Sequence, residues 1–178
     1  MVKRTIIFCL ILLAMTTCVK WHPIRMVRVS YTGKDLRMDG YYYTDASYDE
    51  PKNNYSRGYI IFYRNGFCVV GGAISMTSPD DFAFLEKRLI EHVEYATNYK
   101  YEANFFKIHG LDIEIEGYQT GSLLERDTFC DYGEILNDTT FVIKKYRENY
   151  SGKESEMNKT YHFRHYLPKP DSTCVYMN

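Results

Sequence analysis

The sequence predicts a mainly β protein, in which an antiparallel meander forms a barrel or a curled sheet and one amphipathic helix interrupts the strands. Short runs of β-prone residues recur along the chain, which contains 18 tyrosines and 10 phenylalanines among 178 residues. Turn-forming residues separate these runs. Over about residues 79–97, the apolar side chains instead recur at spacings of three and four, which is the period of a helix.

The N-terminal segment differs from the rest of the chain. Lys3 and Arg4 precede an apolar run over residues 6–15, and two threonines follow before Cys18. A charged start, an apolar core and small residues before a cut are the three parts of a secretory signal. The run is too short to span a bilayer, which takes about 20 helical residues. We therefore expect residues 1–17 to be removed as a signal peptide.

The end of this segment predicts a modification site. The sequence Ala-Met-Thr-Thr-Cys at residues 14–18 resembles the lipobox of bacterial lipoproteins, in which a peptidase cuts before a cysteine that then carries acyl chains. The resemblance implies lipidation of Cys18, a lipidated tether over residues 18–30 and a location in the cell envelope, at the outer membrane. Each buried CH₂ of an acyl chain contributes about 0.8 kcal/mol to membrane binding. The alternative is ordinary cleavage, which leaves a freely secreted protein.

The charge of the chain argues against a nucleic-acid partner. The formal net charge is −1, and loss of two positive charges, Lys3 and Arg4, with the signal changes it to −3. The remaining basic residues are dispersed, and no basic tract interleaves with aromatic residues. After cleavage the length suits one domain with its own core. We assign residues 31–178 to a single β-rich domain.

Strands are expected on both sides of the Asn65-Gly66 pair, over residues 59–64 and 67–70. Asn-Gly between β-prone runs favours a type I′ hairpin turn, because both central residues take positive φ. A second hairpin is predicted at Asn137-Asp138, and residues 173–177 are expected to close the sheet after a strand that begins at Tyr161.

The predicted helix has recognisable start signals. Ser78 can cap it, and Pro79 suits the first helical position. Asp80 and Asp81 complement the positive end of the helix dipole. The apolar stripe, which we expect to pack on the sheet, comprises Phe82, Leu85, Leu89, Val93 and Ala96.

Three cysteines remain if Cys9 leaves with the signal and Cys18 is lipidated: Cys68, Cys130 and Cys174. Their spacing matches neither a zinc knuckle nor a CxxC redox pair. One disulfide with one buried thiol fits an exported protein. Three small buried side chains fit as well, and we favour this interpretation.

Tyrosine content is the feature that most favours a binding role. A tyrosine offers a broad contact area and a hydrogen-bonding hydroxyl. The candidate ligand-contact residues are Tyr41, Tyr42, Tyr43, Tyr99 and Tyr101. The alternative, which we favour, is that these tyrosines simply suit half-buried strands.

Candidate residues for catalysis or metal binding are scattered. His162 and His165 point to opposite faces of a strand, and the acidic residues at 112, 114 and 116 are spaced by about 7 Å on one solvated face. We therefore predict no metal site and no cofactor. Asp131 is interpreted as a polar turn residue. An enzyme would need a site assembled from distant residues, namely Asp127, Glu134, His109 and His165.

Segments at turns and strand ends, 39–43, 63–66, 133–141 and 170–173, resemble those of uncharacterised small lipoproteins of Gram-negative bacteria. Such proteins are often lipocalin-like, with a meandering antiparallel sheet curled around a cavity. The resemblance implies a lipocalin-like barrel but no particular activity.

The hypothesis that these observations favour is a membrane-anchored, non-enzymatic binding module. Its barrel mouth or tyrosine-rich face would hold a small apolar ligand, a glycan or a protein partner. The alternatives are an envelope hydrolase built from the scattered acidic residues and histidines, or a purely structural lipoprotein.

Overall fold

The computed structural model of the protein describes residues 20–21, 23–99, 102, 104–120 and 125–173. Within these residues, eight antiparallel strands close into a barrel and one α-helix lies on its outer wall. The barrel strands are β2 (Gly40–Thr44), β4 (Asn54–Phe62), β5 (Phe67–Met76), β6 (Asn104–His109), β7 (Asp112–Thr120), β8 (Glu125–Asn137), β9 (Thr140–Glu148) and β10 (Glu154–His165). Outside the closed path lie β1 (Lys20–Trp21) and β3 (Ser47–Asp49), and the helix is α1 (Phe82–Asn98).

The strands follow an up-and-down order. Each barrel strand pairs with the next barrel strand along the chain, and β10 returns to pair with β2. This closing register places Phe163 opposite Tyr42. The strand β10 therefore closes the barrel, and residues 174–177 of the segment that was expected to close the sheet lie outside the described residues. The mainly β, lipocalin-like barrel with one helix that the sequence predicts is confirmed.

Large side chains pack the barrel interior. The Tyr42 ring lies 5.7 Å from Phe62, 5.2 Å from Phe141 and 5.3 Å from Phe163, in edge-to-face geometry. Ile113 and Ile115 add aliphatic side chains from one face of β7. Strand alternation brings these residues to the same side of the sheet, so rings and branched side chains fill the interior.

The N-terminal segment covers the barrel end that carries the 63–66 turn. Leu36 is buried in the interior cluster, and the Tyr31 ring packs edge-on against Phe106 at 6.0 Å. The backbone N–H of Tyr31 donates to the carbonyl of Arg64 at 2.8 Å, and that of Arg37 donates to Asp138 at 3.0 Å. These contacts close one end of the barrel.

Residues 25–26, inside the predicted tether, lie against the outer wall of β7. The Glu116 carboxylate accepts hydrogen bonds from the backbone N–H groups of Arg25 and Met26, and from the Asn149 side chain at 2.8 Å. The assignment of Glu116 to a solvated strand face is therefore wrong, since it is only 4% exposed. Its neighbours supply the hydrogen bonds that a buried carboxylate needs.

The helix begins later than the sequence suggests. The N-cap is Asp81, whose Oδ1 accepts from the N–H of Phe84 at 3.0 Å, so the predicted cap at Ser78 is wrong. The reason lies in Arg57, whose guanidinium donates to the Pro79 carbonyl at 2.9 Å and holds it outside the helix. The predicted stripe is confirmed, and its fully buried members are Leu85, Leu89, Val93 and Ala96.

The hairpin predicted at Asn65-Gly66 is present, but its turn is not type I′. Gly66 has a φ of +83°, whereas Asn65 is not among the residues with positive φ. The N–H of Gly66 donates to the Tyr63 carbonyl at 3.0 Å, and the Asn65 side chain accepts from the N–H of Phe67 at 3.1 Å. This side-chain bond stabilises a longer turn in which only the glycine takes the left-handed conformation.

Candidate functional site

A polar cleft opens at the barrel end opposite the 63–66 turn. Its volume is about 340 Å³. It lies between β2, β4, β5 and β10 near the ends of these strands, and we call it the Lys159 cleft. It is lined by Thr44, Asp45, Ser47, Ser56, Arg57, Gly58, Ala73, Asn158, Lys159 and Thr160.

Strand alternation turns Lys159 toward the interior. It precedes Tyr161 by two residues on β10, and its Nζ lies 5.4 Å from the centre of the buried Tyr161 ring. A Cβ added at Gly58 would lie only 3.3 Å from Nζ, so the glycine leaves room for the ammonium. In the described part of the chain, no carboxylate pairs with this ammonium and no acceptor takes a hydrogen bond from it. Burial lowers the pKa of Lys159.

Asp131 supplies the opposite charge from β8. It is 9% exposed, and its Oδ1 is buried without a hydrogen-bond partner among the described residues. Burial raises the pKa of this carboxyl to about 6, while the nearby charge of Lys159 opposes the rise. The two groups therefore influence each other without a direct ion pair. Perturbed titratable groups beside a cleft are typical of functional sites.

The other charged groups of the cleft are already engaged. The Arg57 guanidinium stacks over the rings of Tyr43 and Phe82, at 4.8 Å from each. Asp45 is exposed and lies 3.6 Å from Nε2 of His162. Lys159 differs from these groups because its ammonium has neither a carboxylate nor a hydrogen-bond acceptor among the described residues, although Nε of Arg57 is also buried without an acceptor there.

The polar lining comes mainly from hydroxyl and amide groups. Thr44 Oγ1 accepts from the N–H of Gly58 at 3.0 Å, and the hydroxyls of Ser47 and Ser56 lie 2.8 Å apart. A hydroxyl can both donate and accept, so these side chains retain capacity for further hydrogen bonds.

The three consecutive tyrosines of β2 have different environments. Tyr41 packs under α1, where its hydroxyl donates to Glu86 at 3.2 Å. Tyr42 lies inside the barrel and donates to the carbonyl of Asp138 at 2.7 Å. Burial raises the pKa of both hydroxyls. Tyr43 is half-buried on the outer wall, with its ring 5.1 Å from that of Phe82.

Tyr99 has the accessible ring that a ligand contact requires. It is 52% exposed, directly after α1, and stacks on Tyr95 with the ring centres 4.2 Å apart. Tyr101 lies outside the described residues, as does the predicted lipidation site Cys18.

The residues suggested for a hydrolase do not converge. Asp127 and Glu134 lie on the same strand, about 23 Å apart at about 3.3 Å per residue. His109 ends β6 and His165 ends β10, both at the opposite end of the barrel from Asp127. Within the described residues, no group of three or more histidine, cysteine or acidic side chains is arranged to hold a metal ion.

The described cysteines are free thiols. Cys68 and Cys130 are both buried, and no disulfide joins them. Burial raises the pKa of Cys130 to about 11 and that of Cys68 well above its ordinary value. Cys68 and Cys130 are therefore small buried side chains, which is the interpretation that we favour from the sequence. Cys174 lies outside the described residues.

Asp131 and Lys159 are the site residues that sequence reasoning missed. The turn interpretation of Asp131 is wrong, because it lies within β8 and faces the interior. Lys159 stands at the end of a charged stretch that resembles a loop. The available signal was its spacing of two from Tyr161 and four from Phe163, which places all three on one face of a strand.

Within the residues that the structure covers, no helix is both long and apolar enough to cross a bilayer. Comparison of the chain with protein-family models, with curated proteins and with solved structures found no match.

Proposed function

We propose that the protein is a membrane-anchored, non-enzymatic binding module of the bacterial envelope, which holds a small anionic, oxygen-rich ligand such as a sugar acid in the Lys159 cleft. The observation that carries the proposal is the half-buried ammonium of Lys159, which has no ion-pair partner within the described part of the chain and lies in a cleft of hydroxyl groups. The membrane anchor rests on the lipobox-like sequence that ends at Cys18.

An anion would relieve the cost of the unpaired charge. Burying a cation without a partner is unfavourable. A ligand carboxylate would give the Lys159 ammonium a charge-assisted hydrogen bond, which contributes about 1.5–3 kcal/mol. The hydroxyls of Thr44, Ser47 and Ser56 line the same cleft and suit the hydroxyls of a sugar ring.

The lining and the packed interior favour a polar ligand over an apolar one. Tyr42, Phe62, Phe106 and Phe141 occupy the barrel interior, where an apolar ligand of a lipocalin-like protein would lie. The Lys159 cleft is instead lined mostly by hydroxyl, amide and charged side chains. Specific orientation of a small ligand depends on such convergent polar groups.

Asp131 tunes the affinity for an anion. When its carboxyl is ionised, it repels a ligand carboxylate bound at Lys159, and its pKa of about 6 means that mild acid removes this repulsion. Anion binding should therefore strengthen as the pH falls from 7 to 5. Anion binding should weaken at alkaline pH, because burial lowers the pKa of Lys159 and the ammonium loses its proton at a lower pH than an exposed lysine does.

The test is a calorimetric titration of the full-length protein in detergent with galacturonate and with galactose, which differ by a carboxylate. We expect galacturonate to bind at least about tenfold more tightly than galactose, since the free energy of one charge-assisted hydrogen bond corresponds to about that ratio of dissociation constants. Lys159→Met should abolish the preference, whereas Lys87→Met, which removes an exposed lysine of α1, should preserve it. Equal binding of both sugars, or an unchanged preference in Lys159→Met, would refute the proposal.

A further inference from the structure

A second cleft lies between α1 and the outer wall of the barrel. Its volume is about 250 Å³, and it is lined by Tyr59, Ile74, Arg88, Glu91, His92 and Tyr95. We call it the helix cleft. The four helical residues recur at spacings of three and four, so they form one face of α1 beside its apolar stripe.

The rim of the helix cleft is an aromatic platform. Tyr95 stacks on Tyr99 with an interplanar angle of 29°, and the two residues are 48% and 52% exposed. Stacking aligns the two rings, so together they offer a broad aromatic surface beside the cleft. Each tyrosine loses little conformational entropy when a ligand packs against it.

The floor of the cleft orients the imidazole of His92. The buried Tyr59 hydroxyl lies 2.7 Å from Nδ1 of His92. This hydrogen bond engages Nδ1 and orients the imidazole, so that Nε2 is the ring nitrogen left for other contacts. Nε2 lies 3.8 Å from the Glu102 carboxylate, which is too long for a direct hydrogen bond. Among the described residues Nε2 therefore has no hydrogen-bond partner, and a sugar hydroxyl, which can donate or accept, suits it in either tautomer.

Charged planar groups complete the lining. The Arg88 guanidinium donates to the Glu91 carboxylate at 2.6 Å, which orients both groups on the surface of the helix. Arg88 keeps further N–H donors and Glu91 keeps further lone pairs. Donors and acceptors of this kind beside an aromatic ring match a sugar, which has an apolar C–H face and a rim of hydroxyls.

We propose that the helix cleft is a second binding site, which takes one pyranose ring of a neutral glycan against Tyr95 and hydrogen-bonds its hydroxyls through Arg88, Glu91 and His92. This site is separate from the Lys159 cleft and does not depend on the function proposed for it. The neutral ligand follows from the lining, because the charges of Arg88 and Glu91 already neutralise each other.

The test measures binding of triacetylchitotriose and maltotriose to the full-length protein in detergent, by saturation-transfer NMR. We expect at least one of them to bind at millimolar concentration and to receive saturation from tyrosine rings. Tyr95→Ala should weaken this binding by about tenfold, because it removes the stacking surface. Tyr95→Phe retains the ring and should bind within about threefold of the wild type.

Two further variants act as controls. Phe84→Ala removes a partly exposed ring of the same helix outside the cleft and should leave binding unchanged. Lys159→Met should also leave it unchanged, so failure of the first proposal and of this one can be told apart. Absence of binding by both trisaccharides, wild-type affinity in Tyr95→Ala, or loss of affinity in Lys159→Met would each overturn the second site.

Discussion

At the residue scale, the Lys159 cleft depends on a charged side chain placed where strand alternation would normally put an apolar one. Lys159 shares its face of β10 with the buried Tyr161 ring, and Asp131 shares its face of β8 with the buried Ile135. The structure accommodates the lysine beside Gly58, which has no side chain to occupy the space. Such placements lower stability and are characteristic of functional sites.

The buried carboxyl of Asp131 should make stability depend on pH. Its pKa rises from 3.8 to about 6 on folding, so the associated stability is fully present below pH 3.8 and is lost as the pH rises through 6. That difference corresponds to about 3 kcal/mol. Urea unfolding at several pH values between 4 and 7 should show this loss in the wild type and not in Asp131→Asn.

The matched control for this prediction is Asp45→Asn, which removes a carboxylate whose side chain is 87% exposed. We expect that variant to keep the pH dependence of the wild type. The same pH dependence in Asp131→Asn and in the wild type would show that the Asp131 carboxyl is not perturbed by burial.

At the element scale, local patterns predict α1 and the hairpins, whereas long-range contacts decide the details. The apolar stripe of α1 can be predicted from the sequence because the spacing of its residues depends only on the period of the helix. The start of α1 depends on Arg57, which is distant in sequence and draws the Pro79 carbonyl away from the helix. Likewise, the sequence of β10 gives no sign that its partner is β2, so the pairing that closes the barrel could not be predicted.

The turn at Gly66 offers a test of how the N-terminal segment packs on the barrel. Gly66 and Gly110 both have positive φ, but a Cβ on Gly66 would lie 2.3 Å from the Val29 carbonyl, whereas one on Gly110 meets open space. Gly110→Ala should cost about 1–2 kcal/mol of unfolding free energy from backbone strain alone. Gly66→Ala should cost about 2–4 kcal/mol, because residues 28–29 must also move.

Chemical denaturation of both variants measures this difference. A Gly66→Ala variant that is as stable as Gly110→Ala would mean that the segment around Val29 does not pack against the 63–66 turn.

At the scale of the whole molecule, the fold combines a barrel that is packed inside with the Lys159 cleft at one end and the helix cleft on its outer wall. The packed interior distinguishes it from a barrel that encloses an apolar ligand, although the up-and-down strand order is that of a lipocalin-like meander. The covered end carries the N-terminal segment, and the Lys159 cleft lies at the opposite end.

Lipidation of Cys18, which would anchor the whole chain to a membrane, is a further prediction. Expressed in a Gram-negative host, the wild type should yield a mature chain that begins at Cys18, carries the mass of a diacylglyceryl group and partitions with membranes. Cys18→Ser should lose both properties, whereas Cys9→Ser should keep them, because Cys9 leaves with the signal. Intact mass spectrometry measures the modification, and membrane fractionation measures the partitioning. An unmodified, soluble wild type would contradict the lipoprotein assignment.

An NMR titration of the isotope-labelled protein with galacturonate shows whether an anionic ligand binds in the Lys159 cleft. We predict that the largest shift changes will fall on Thr44, Ser56, Gly58 and Lys159 of the cleft, and that the Lys159 side-chain signal will move with them. Shift changes confined to other surfaces, or no shift changes at high galacturonate concentration, would show that the Lys159 cleft does not bind this anion.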